Sequence, residues 1–359
     1  MSRFIAFYLP QYYPTKENDE WWEKGFTEWL NVGRAKPLFR GHYQPKVPTE
    51  LGYYDLRIPE VREEQAKLAK EAGIEGFCYW HYWFDGTRLL DRVFSEVVRD
   101  QKPNFPFCLC WANHTWSRKR WDSKYQDKVL MEQTYPGIKD YIAHFEAMLP
   151  AFKDPRYIKV NGKLLYGIYA PLDIPDFSIL KSTWNELAQK EGLDGFHFFC
   201  FTYFEDKIDD LLKVGYDTVS YDYLHTAYAN YRKGNLLKRV FFEFKKMFRQ
   251  PIVYLYLKYV KYIETHYVDN PRVWPCILPN FDHSPRSGTK NIILHNSDPI
   301  YWKKLCKNVI KRNETRNPEE NIIFIKSWNE WGEGNYMEPD LKYGRGYITA
   351  LREAIDECE

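Results

Sequence analysis

Two carboxylates three residues apart form the most informative feature of this 359-residue sequence. Glu330 and Glu333 lie in the segment 327–334, which reads Ser-Trp-Asn-Glu-Trp-Gly-Glu-Gly and follows an apolar run at Ile322–Ile325. On a straight strand, side chains three residues apart point to opposite faces, so the glycine-containing turn is needed to bring them together. A protonated carboxyl beside an ionised carboxylate is the pair that glycosidic bond chemistry uses. We therefore predict Glu330 and Glu333 as the catalytic residues.

Tryptophans flank both of these carboxylates. Trp328 and Trp331 would supply apolar walls, which raise the pKa of one carboxyl and favour its protonated form. The alternative is that Glu330 and Glu333 are two solvated loop carboxylates. Glu338 and Asp340 follow closely in the sequence, and we interpret them as structural or exposed.

Polar and aromatic side chains also follow the predicted second, third and seventh strands, in the segments 79–86, 111–118 and 280–286. A single one of these would carry little weight, since a lone histidine such as His81 is more often structural than catalytic. Together they predict a groove with aromatic platforms, amides and a few charges, suited to a neutral or weakly anionic glycan. The predicted substrate-binding residues are Tyr8, Gln11, Glu28, Trp29, His42, Trp80, His81, Tyr82, Trp111, Asn113, Trp116, Asp282, Arg286, Trp328 and Trp331.

The composition agrees with a glycan groove and excludes other classes. Aromatic residues make up 18% of the chain, with 13 Trp and 29 Tyr, and these residues suit both a large core and the stacking of sugar rings. The formal net charge of +2 argues against a general nucleic-acid binder. The sequence has no His-Glu-x-x-His, phosphate-binding glycine loop, Gly-x-Ser-x-Gly or Asp-x-Asp pattern. We therefore expect no metal and no cofactor.

Eight short apolar runs alternate with helical patterns, which predicts a parallel sheet. Eight such units favour a closed barrel, whereas an open dinucleotide-binding sheet would need a glycine-rich fingerprint after the first strand. The predicted fold is α/β, a single (β/α)8 TIM barrel forming one catalytic domain over residues 1–359. The predicted strands are residues 4–9, 74–80, 105–111, 164–169, 196–201, 218–221, 275–279 and 322–328. The predicted helices are residues 61–72, 89–99, 139–152, 182–191, 207–214, 299–311 and 347–357.

Two connections are longer than a compact barrel requires, at residues 10–59 and 222–273. Long loops are usually functional, and in a barrel those after strands lie on the active-site face. The second one contains a helical insertion at residues 230–270. Its part at 236–264 is rich in aromatics, Lys and Arg, and it fits two amphipathic helices. One interpretation is a lid packed on the barrel, and the other is peripheral docking on an anionic membrane surface.

The localisation follows from what the sequence lacks. The N-terminus runs directly into a predicted strand, without a signal segment, and no run of about 18 apolar residues would cross a membrane. The seven cysteines are scattered, and Cys108 and Cys110 read as buried core thiols in a reducing compartment. We expect a cytoplasmic protein, peripheral at the inner membrane face if the insertion docks there, with a glycan as its partner and no nucleic acid. The pattern leaves the oligomeric state open.

Several segments resemble one known family, the WbsX-like proteins. They are Phe7-Tyr8-Leu9-Pro10-Gln11, the tryptophan-rich segments 18–22 and 25–29, Gly41-His42-Tyr43-Gln44-Pro45, the segment 76–84 and the segment 327–334. The resemblance extends over nearly the whole chain. Members of this family were labelled glycosyltransferases because they occur in bacterial surface-polysaccharide clusters. They are now grouped as similar to the endo-α-mannosidases of glycoside hydrolase family 99. That implies a (β/α)8 barrel and metal-independent retaining hydrolysis.

The resemblance also implies roles for the acidic pair. In the hydrolase family a Glu-x-x-Glu pair follows the last strand, which places Glu330 as the base for the sugar 2-hydroxyl, giving a 1,2-anhydro intermediate. Glu333 corresponds to the general acid/base. The chain departs from the family pattern at His114, where relatives often have Glu, at Ala170, where they often have Arg, and at Lys119, an additional residue.

Three functions fit the sequence. The first is a retaining glycoside hydrolase that cleaves α-linked, mannose-like glycans. The second is a glycosyltransferase or transglycosylase of bacterial surface-polysaccharide (O-antigen or capsule) biosynthesis, although the missing Asp-x-Asp disfavours the common metal-dependent type. The third is a glycan-binding protein without catalysis. The sequence leaves the sugar, its linkage and the aglycone open.

Overall fold

Eight parallel strands close into a barrel at the centre of the structure, a computed structural model that describes residues 2–118, 128–233, 247–248 and 250–358. The strands are β1 (Arg3–Tyr8), β2 (Ile74–Phe84), β3 (Phe107–Trp111), β4 (Lys163–Ile168), β5 (Phe196–Thr202), β6 (Thr218–Asp222), β7 (Val273–Ile277) and β8 (Ile322–Ile325). Each strand pairs in parallel with its sequence neighbours, and β8 pairs with β1 to complete the ring. The predicted (β/α)8 TIM barrel is confirmed.

All eight predicted strands are present, with small differences at their ends. β2 continues to Phe84, beyond the predicted end at residue 80, because its last residues pair antiparallel with Thr87–Leu89. β8 ends at Ile325 rather than at residue 328. Beyond this strand the chain turns over the end of the barrel, where Trp328 N donates a 2.8 Å hydrogen bond to Phe7 O.

Large aromatic side chains fill the barrel interior. The Phe7 ring stacks on Trp80 with a centroid distance of 4.6 Å, and it also packs on Phe324 at 5.1 Å. Gly167 in β4 leaves space for a further ring, that of Phe199, because a Cβ atom on Gly167 would lie 2.3 Å from it. The interior is therefore a packed core, which fixes the strand ends that carry the site.

Helices cover the outside of the barrel and connect successive strands. They are α1 (Lys16–Trp21), α2 (Glu28–Arg34), α3 (Pro59–Glu71), α4 (Arg92–Asp100), α5 (Ile138–Phe152), α6 (Phe177–Lys190), α7 (Ile208–Val214), α8 (Leu224–Arg232), α9 (Tyr256–Thr265), α10 (Ser284–Ser287), α11 (Pro299–Asn313) and α12 (Gly346–Asp356). Local signals start several of them, as at α11, where Asp298 accepts a hydrogen bond from Ile300 N and Pro299 occupies the first turn. The seven predicted helices correspond to α3 to α7, α11 and α12.

The first long connection, residues 10–59, is predicted as a loop, but it contains the short helices α1 and α2. It packs against the turn that follows β8. Tyr12 donates a hydrogen bond to Asn329 O, and Asn329 in turn bonds the backbone of Leu9 through its side-chain amide. The connection therefore supports the turn that carries the acidic pair.

The second long connection, residues 222–273, contains α8, α9 and a short strand at Ile252–Leu255, which pairs in parallel with Ile292–His295. α9 lies in the second half of the segment predicted as two amphipathic helices. The first half of that segment lies largely outside the described residues, at 234–246 and 249. Among the helices that the structure describes, none has the length and apolar character needed to cross a membrane.

The cysteines Cys108 and Cys110 are buried in β3 as free thiols, in agreement with their interpretation as core residues.

Candidate active site

A cavity of about 320 Å³ opens at the end of the barrel where the strands terminate. Every strand end contributes at least one lining residue to it. In strand order, the first of these are Leu9, Trp80, Ala112, Tyr169, Tyr203, Asp222, Phe281 and Lys326. This face of an α/β barrel carries the active site, and a volume of roughly 300 Å³ or more is usual for a small-molecule pocket.

Glu330 and Glu333 both line this cavity. Asn329–Glu330 pairs antiparallel with Asn335–Tyr336, and a single 3₁₀ turn at Trp331–Glu333 connects the two short strands. This turn reverses the chain, so that side chains three residues apart point into one space. The side chains of Glu330 and Glu333 share a hydrogen bond.

Two glycines make this turn sterically possible. A Cβ atom on Gly332 would lie 2.0 Å from Glu28 Oε2, and one on Gly334 would lie 2.7 Å from Lys46 Nζ. Gly334 also has a φ of +52°, in the left-handed region that favours glycine. Both approaches bring charged side chains against the turn from the first long connection.

The surroundings of Glu330 favour its protonated form. The side chain is buried, and the pKa of its carboxyl is raised to about 7, first by burial and then by the negative charge of Glu333. Trp80 Nε1 donates a 2.6 Å hydrogen bond to Glu330 Oε1, which offsets part of this rise. A carboxyl with such a pKa can carry a proton near neutral pH.

Glu333 has the opposite environment. Arg286 Nη1 lies 2.6 Å from Glu333 Oε1, and Lys326 Nζ lies 3.9 Å from Oε2. Burial alone would raise the pKa of Glu333, but the charges of Arg286 and Lys326 outweigh it and lower this pKa well below its usual value. The surroundings therefore drive the two pKa values apart, with that of Glu330 raised and that of Glu333 lowered, which favours a shared proton on Glu330.

Arg286 is held in place from the other side by Glu28. The Arg286 Nε atom lies 3.0 Å from Glu28 Oε2, and Glu28 is fully buried at the start of α2. The first connection thus supplies the carboxylate that orients the guanidinium toward Glu333. Arg286 thus bridges two buried carboxylates, with Nε on Glu28 and Nη1 on Glu333, and a buried arrangement of this kind restricts the groups more than a surface ion pair does.

The backbone of the turn has two further supports. Asp282 N donates a 2.7 Å hydrogen bond to Glu333 O, and Lys46 Nζ donates a 2.9 Å bond to Gly334 O. The Asp282 side chain is buried and accepts hydrogen bonds from His42 and Gln44. Its pKa is lowered to about 2 because the His42 bond and the Lys46 charge outweigh the effect of burial.

The structure divides the predicted site residues into two groups. The residues that line the cavity are Trp80, Tyr82, Trp116, Arg286, Glu330 and Glu333. Glu28, His42 and Asp282 lie behind the residues that line the cavity. They hold Arg286 and the turn of the acidic pair in place through the contacts described above. Gln11 is buried but does not line the cavity.

Five more of the predicted binding residues contact other protein groups instead of the cavity. Tyr8 donates to Gln65, Trp29 donates to Tyr54 O, His81 bonds His144, Trp111 donates to Trp83 O, and Asn113 bonds Tyr135 and Ala170. These partners occupy the polar atoms that a ligand would otherwise use. The five side chains therefore brace the strand ends and the loops that follow them.

Trp328 and Trp331, predicted as apolar walls of the acidic pair, are fully buried outside the cavity. Trp331 stacks on Tyr336 with a centroid distance of 3.8 Å, and its Nε1 donates a 2.6 Å hydrogen bond to Glu338. Glu338 is buried, which makes it structural rather than exposed. The apolar surface beside Glu330 comes from Trp80, on a different strand.

Several lining residues were not among the predicted ones. Tyr203 follows β5, Asp222 ends β6, Lys326 follows β8, and His225 lies in the first turn of α8. Their position at strand ends is the signal that could have identified them. Of the family departures, His114 lines the cavity, Ala170 bonds Asn113 through its carbonyl, and Lys119 lies outside the described residues.

No group of three or more His, Cys, Asp or Glu side chains suited to a metal ion occurs in the described part of the chain. The donors and acceptors of the residues that line the cavity include carboxylates, an ammonium, a guanidinium, an amide, imidazoles and three phenols. With the surrounding aromatic rings, this set can bind a polyhydroxylated ligand and transfer protons to and from it.

Comparison with known proteins gives a family and a set of relatives. A family model described as glycosyltransferase WbsX matches residues 4–351. The uncharacterized protein WxcX of Xanthomonas campestris pv. campestris, in strains B100 and ATCC 33913, is 35% identical over 363 residues. That match covers 99% of this chain and 50% of WxcX, so the chain spans about half the length of the curated relatives it matches.

Solved structures share the fold. The endo-α-mannosidase of glycoside hydrolase family 99 from Bacteroides thetaiotaomicron superposes with a TM-score of 0.57 at 15% identity, over 99% of this chain and 97% of that one. A structure described as a glycoside hydrolase-like protein superposes with a TM-score of 0.53 at 14% identity, over 98% and 93%. At these identities the likeness concerns the architecture of the barrel.

Proposed function

This chain belongs to the glycosyltransferase WbsX family, and on that premise we propose that it is a retaining glycoside hydrolase that cleaves α-linked, mannose-like glycans through Glu330 and Glu333. The observation that supports this most is the convergence of two buried carboxyls, one with a raised and one with a lowered pKa, in a cavity at the carboxyl ends of the barrel strands. That arrangement contains the proton donor and the base that cleavage of a glycosidic bond requires.

In the proposed reaction Glu330 is the base and Glu333 the general acid, as the family resemblance implies. Glu330 removes the proton of the sugar 2-hydroxyl, whose oxygen then attacks the anomeric carbon. Glu333 protonates the leaving oxygen as the glycosidic bond breaks, and a 1,2-anhydro sugar forms. Water, deprotonated by Glu333, then opens the anhydro ring at the anomeric carbon, and the 2-oxygen regains its proton from Glu330.

These roles require the shared proton to move when the sugar binds, because the protein groups around the pair favour it on Glu330. The two side chains share a hydrogen bond, so the proton has a direct route to Glu333. A hydrogen bond donated by the sugar 2-hydroxyl to Glu330 stabilises the ionised form of this carboxyl. The buried site thus changes from its resting to its working protonation state without exchange with solvent.

A glycan-release screen tests the hydrolase. Purified protein is incubated with α-mannans, bacterial O-antigens and capsular polysaccharides, and products are identified by mass spectrometry, with Glu333→Gln as the inactive control. Release by the wild type and not by the variant is the expected result. Equal release by both proteins would remove Glu333 from the mechanism, and no release from any glycan would contradict hydrolysis.

A glycosyltransferase or transglycosylase of surface-polysaccharide biosynthesis is the second candidate, favoured by the description of the matching family. It predicts saturable binding of a nucleotide-sugar donor and transfer to a lipid-linked acceptor. Titration with a panel of nucleotide-sugars separates the two functions, since a hydrolase needs no such donor.

A further inference from the structure

Lys326 and Asp222 form a polar wall of the cavity next to Glu333, and the reaction proposed above assigns neither a role. Lys326 follows β8 and Asp222 ends β6, and the relative exposures of these residues are 5% and 0%. Lys326 Nζ lies 3.9 Å from Asp222 Oδ2 and 3.9 Å from Glu333 Oε2. The ammonium is therefore midway between two carboxylates, at distances that exceed a hydrogen bond.

Both side chains keep unused hydrogen-bonding capacity. An ammonium has three N–H donors, and within the described residues Lys326 Nζ donates one hydrogen bond, to Tyr203 Oη at 3.3 Å. Asp222 Oδ1 accepts from Leu224 N at 2.8 Å, whereas its Oδ2 accepts no hydrogen bond from any residue that the structure describes. Buried polar atoms are rarely left without a partner, which points to a ligand that supplies one.

Aromatic rings fix the position of the ammonium. Lys326 Nζ lies 5.2 Å from the centroid of Tyr203, 5.6 Å from that of Phe281 and 5.9 Å from that of Phe201. Cation–π contacts of this kind hold the charge without using its N–H donors. The donors that Tyr203 does not use thus remain available to a ligand in the cavity, which Lys326 lines.

The charges decide which oxygen fits. A ligand oxygen bound to Lys326 lies close to the carboxylates of Asp222 and Glu333. A hydroxyl accepts from Lys326 and donates to one of these carboxylates, so both groups gain a partner. A carboxylate or phosphate oxygen has no proton to donate, so it would leave Asp222 Oδ2 without a partner and face the charge of this carboxylate in a buried site, which is costly.

We propose that Lys326 and Asp222 form a subsite that binds a hydroxyl of the sugar unit beside Glu333, admitting neutral sugars and excluding uronic acids and phosphorylated sugars. This proposal rests on the proposed function in that it places the reacting sugar in this cavity. It adds the chemical class of that sugar, which the acidic pair alone leaves open.

Ligand-observed NMR titrations of the full chain test the subsite. The probes are matched pairs of a neutral and an anionic sugar, namely D-galactose with D-galacturonate, D-glucose with D-glucuronate and D-mannose with mannose 6-phosphate. The variants are Lys326→Met, which removes the donors, and Asp222→Asn, which keeps the shape and the bond to Leu224 N. Lys213→Met is the matched control, because Lys213 is exposed and lies 3.8 Å from Asp210 on α7, away from the cavity.

We expect the wild type to bind at least one neutral sugar about 10-fold or more tightly than its anionic counterpart. Loss of a charge-assisted hydrogen bond in Lys326→Met should weaken that neutral sugar by about 10- to 100-fold. Asp222→Asn should also weaken binding of the neutral sugar, and it should reduce the difference in affinity between the neutral and the anionic sugar. A purely structural residue would not cause this change of selectivity. Lys213→Met should bind as the wild type does.

Three results would overturn the subsite: anionic sugars that bind as tightly as neutral ones, neutral binding unchanged in both variants, or no neutral sugar bound by the wild type. If Lys326→Met does not fold, Asp222→Asn and the comparison of paired sugars still decide the matter. Failure of the proposed function looks different. Sugars that bind through Lys326 in a protein that releases no glycan would refute hydrolysis and leave the subsite in place.

Discussion

Replacing each carboxylate of the acidic pair in turn will show which of them protonates the leaving group. The perturbations are Glu330→Gln and Glu333→Gln, which keep the shape of each side chain and remove its charge. The assay compares two substrates with the same sugar, one with a sugar as leaving group and one with fluoride or a dinitrophenyl group, which departs without a proton.

The magnitudes follow from the environment of the pair. Positioned general acid–base catalysis contributes about 10²- to 10⁴-fold to a rate. If Glu333 is the acid, Glu333→Gln should lose about 10²- to 10⁴-fold in kcat/KM on the sugar leaving group and less than about tenfold on the activated one. The negative charge of Glu333 is the second cause of the raised pKa of Glu330, so its removal lowers that pKa and leaves Glu330 ionised, as a base must be.

Glu330→Gln should behave differently, because the 2-hydroxyl needs its base whatever the leaving group. Both substrates should lose about 10²- to 10⁴-fold, to a similar extent. The reverse pattern, with the activated substrate rescued only in Glu330→Gln, would refute this assignment. It would mean that the proton stays on Glu330, as the protein surroundings of the pair favour, and that the two roles are exchanged.

Four other predictions follow from the same contacts. Wild-type kcat/KM should be level below pH 7 and fall about tenfold per pH unit above it. The reason is that the pKa of Glu330 is raised to about 7, so the pair loses its single proton above this pH. A profile that is still level at pH 9 would contradict this. Trp80→Phe removes the 2.6 Å bond that stabilises ionised Glu330, so the falling limb of that profile should move to higher pH, and a shift to lower pH would refute the role of this bond. Glu28→Gln should lower the free energy of unfolding by about 1–3 kcal/mol and reduce kcat/KM, because Arg286 loses its buried partner Glu28. The control is Glu50→Gln, which breaks an exposed pair with Arg345 and should cost about 0–1 kcal/mol. Equal denaturant curves for the two variants would contradict this difference. Gly332→Ala places a Cβ 2.0 Å from Glu28 Oε2, so it should lower the free energy of unfolding by about 1–3 kcal/mol or more and abolish activity. The control is Gly33→Ala in α2, whose Cβ meets no atom within 4 Å and which should be neutral or stabilising when both variants are compared in thermal melts.

The sequence by itself determined the architecture of this protein. Alternating apolar runs and helical patterns predicted eight strand–helix units, and all eight strands appear in the closed barrel. These signals are local, because a buried parallel strand needs a short run of apolar residues and a helix needs a periodic apolar face. The place of Glu330 and Glu333 after the last strand was also predictable, since active-site groups of such barrels follow the strand ends.

Only the tertiary structure decided which side chains near the strand ends face the cavity. Trp328 and Trp331 are next to Glu330 in the sequence, yet they point away from the cavity, and Trp331 pairs with Glu338 instead. Trp80, far away in sequence, provides the hydrogen bond that Glu330 receives. The direction of a side chain after a strand depends on the turn that follows, and the local sequence pattern does not predict that direction.

The charge state of the pair was likewise a property of the fold. The sequence predicted that one carboxyl would be protonated, but it could not identify which one. Arg286 and Lys326 both approach Glu333, and they reach it from the connection after β7 and from the end of β8. Lys326 and Asp222 were missed for the same reason, because a charged residue at a strand end has no local sign of its partner. Sequence patterns record which residues can do chemistry, whereas the distances that set their pKa values arise only when distant segments pack together.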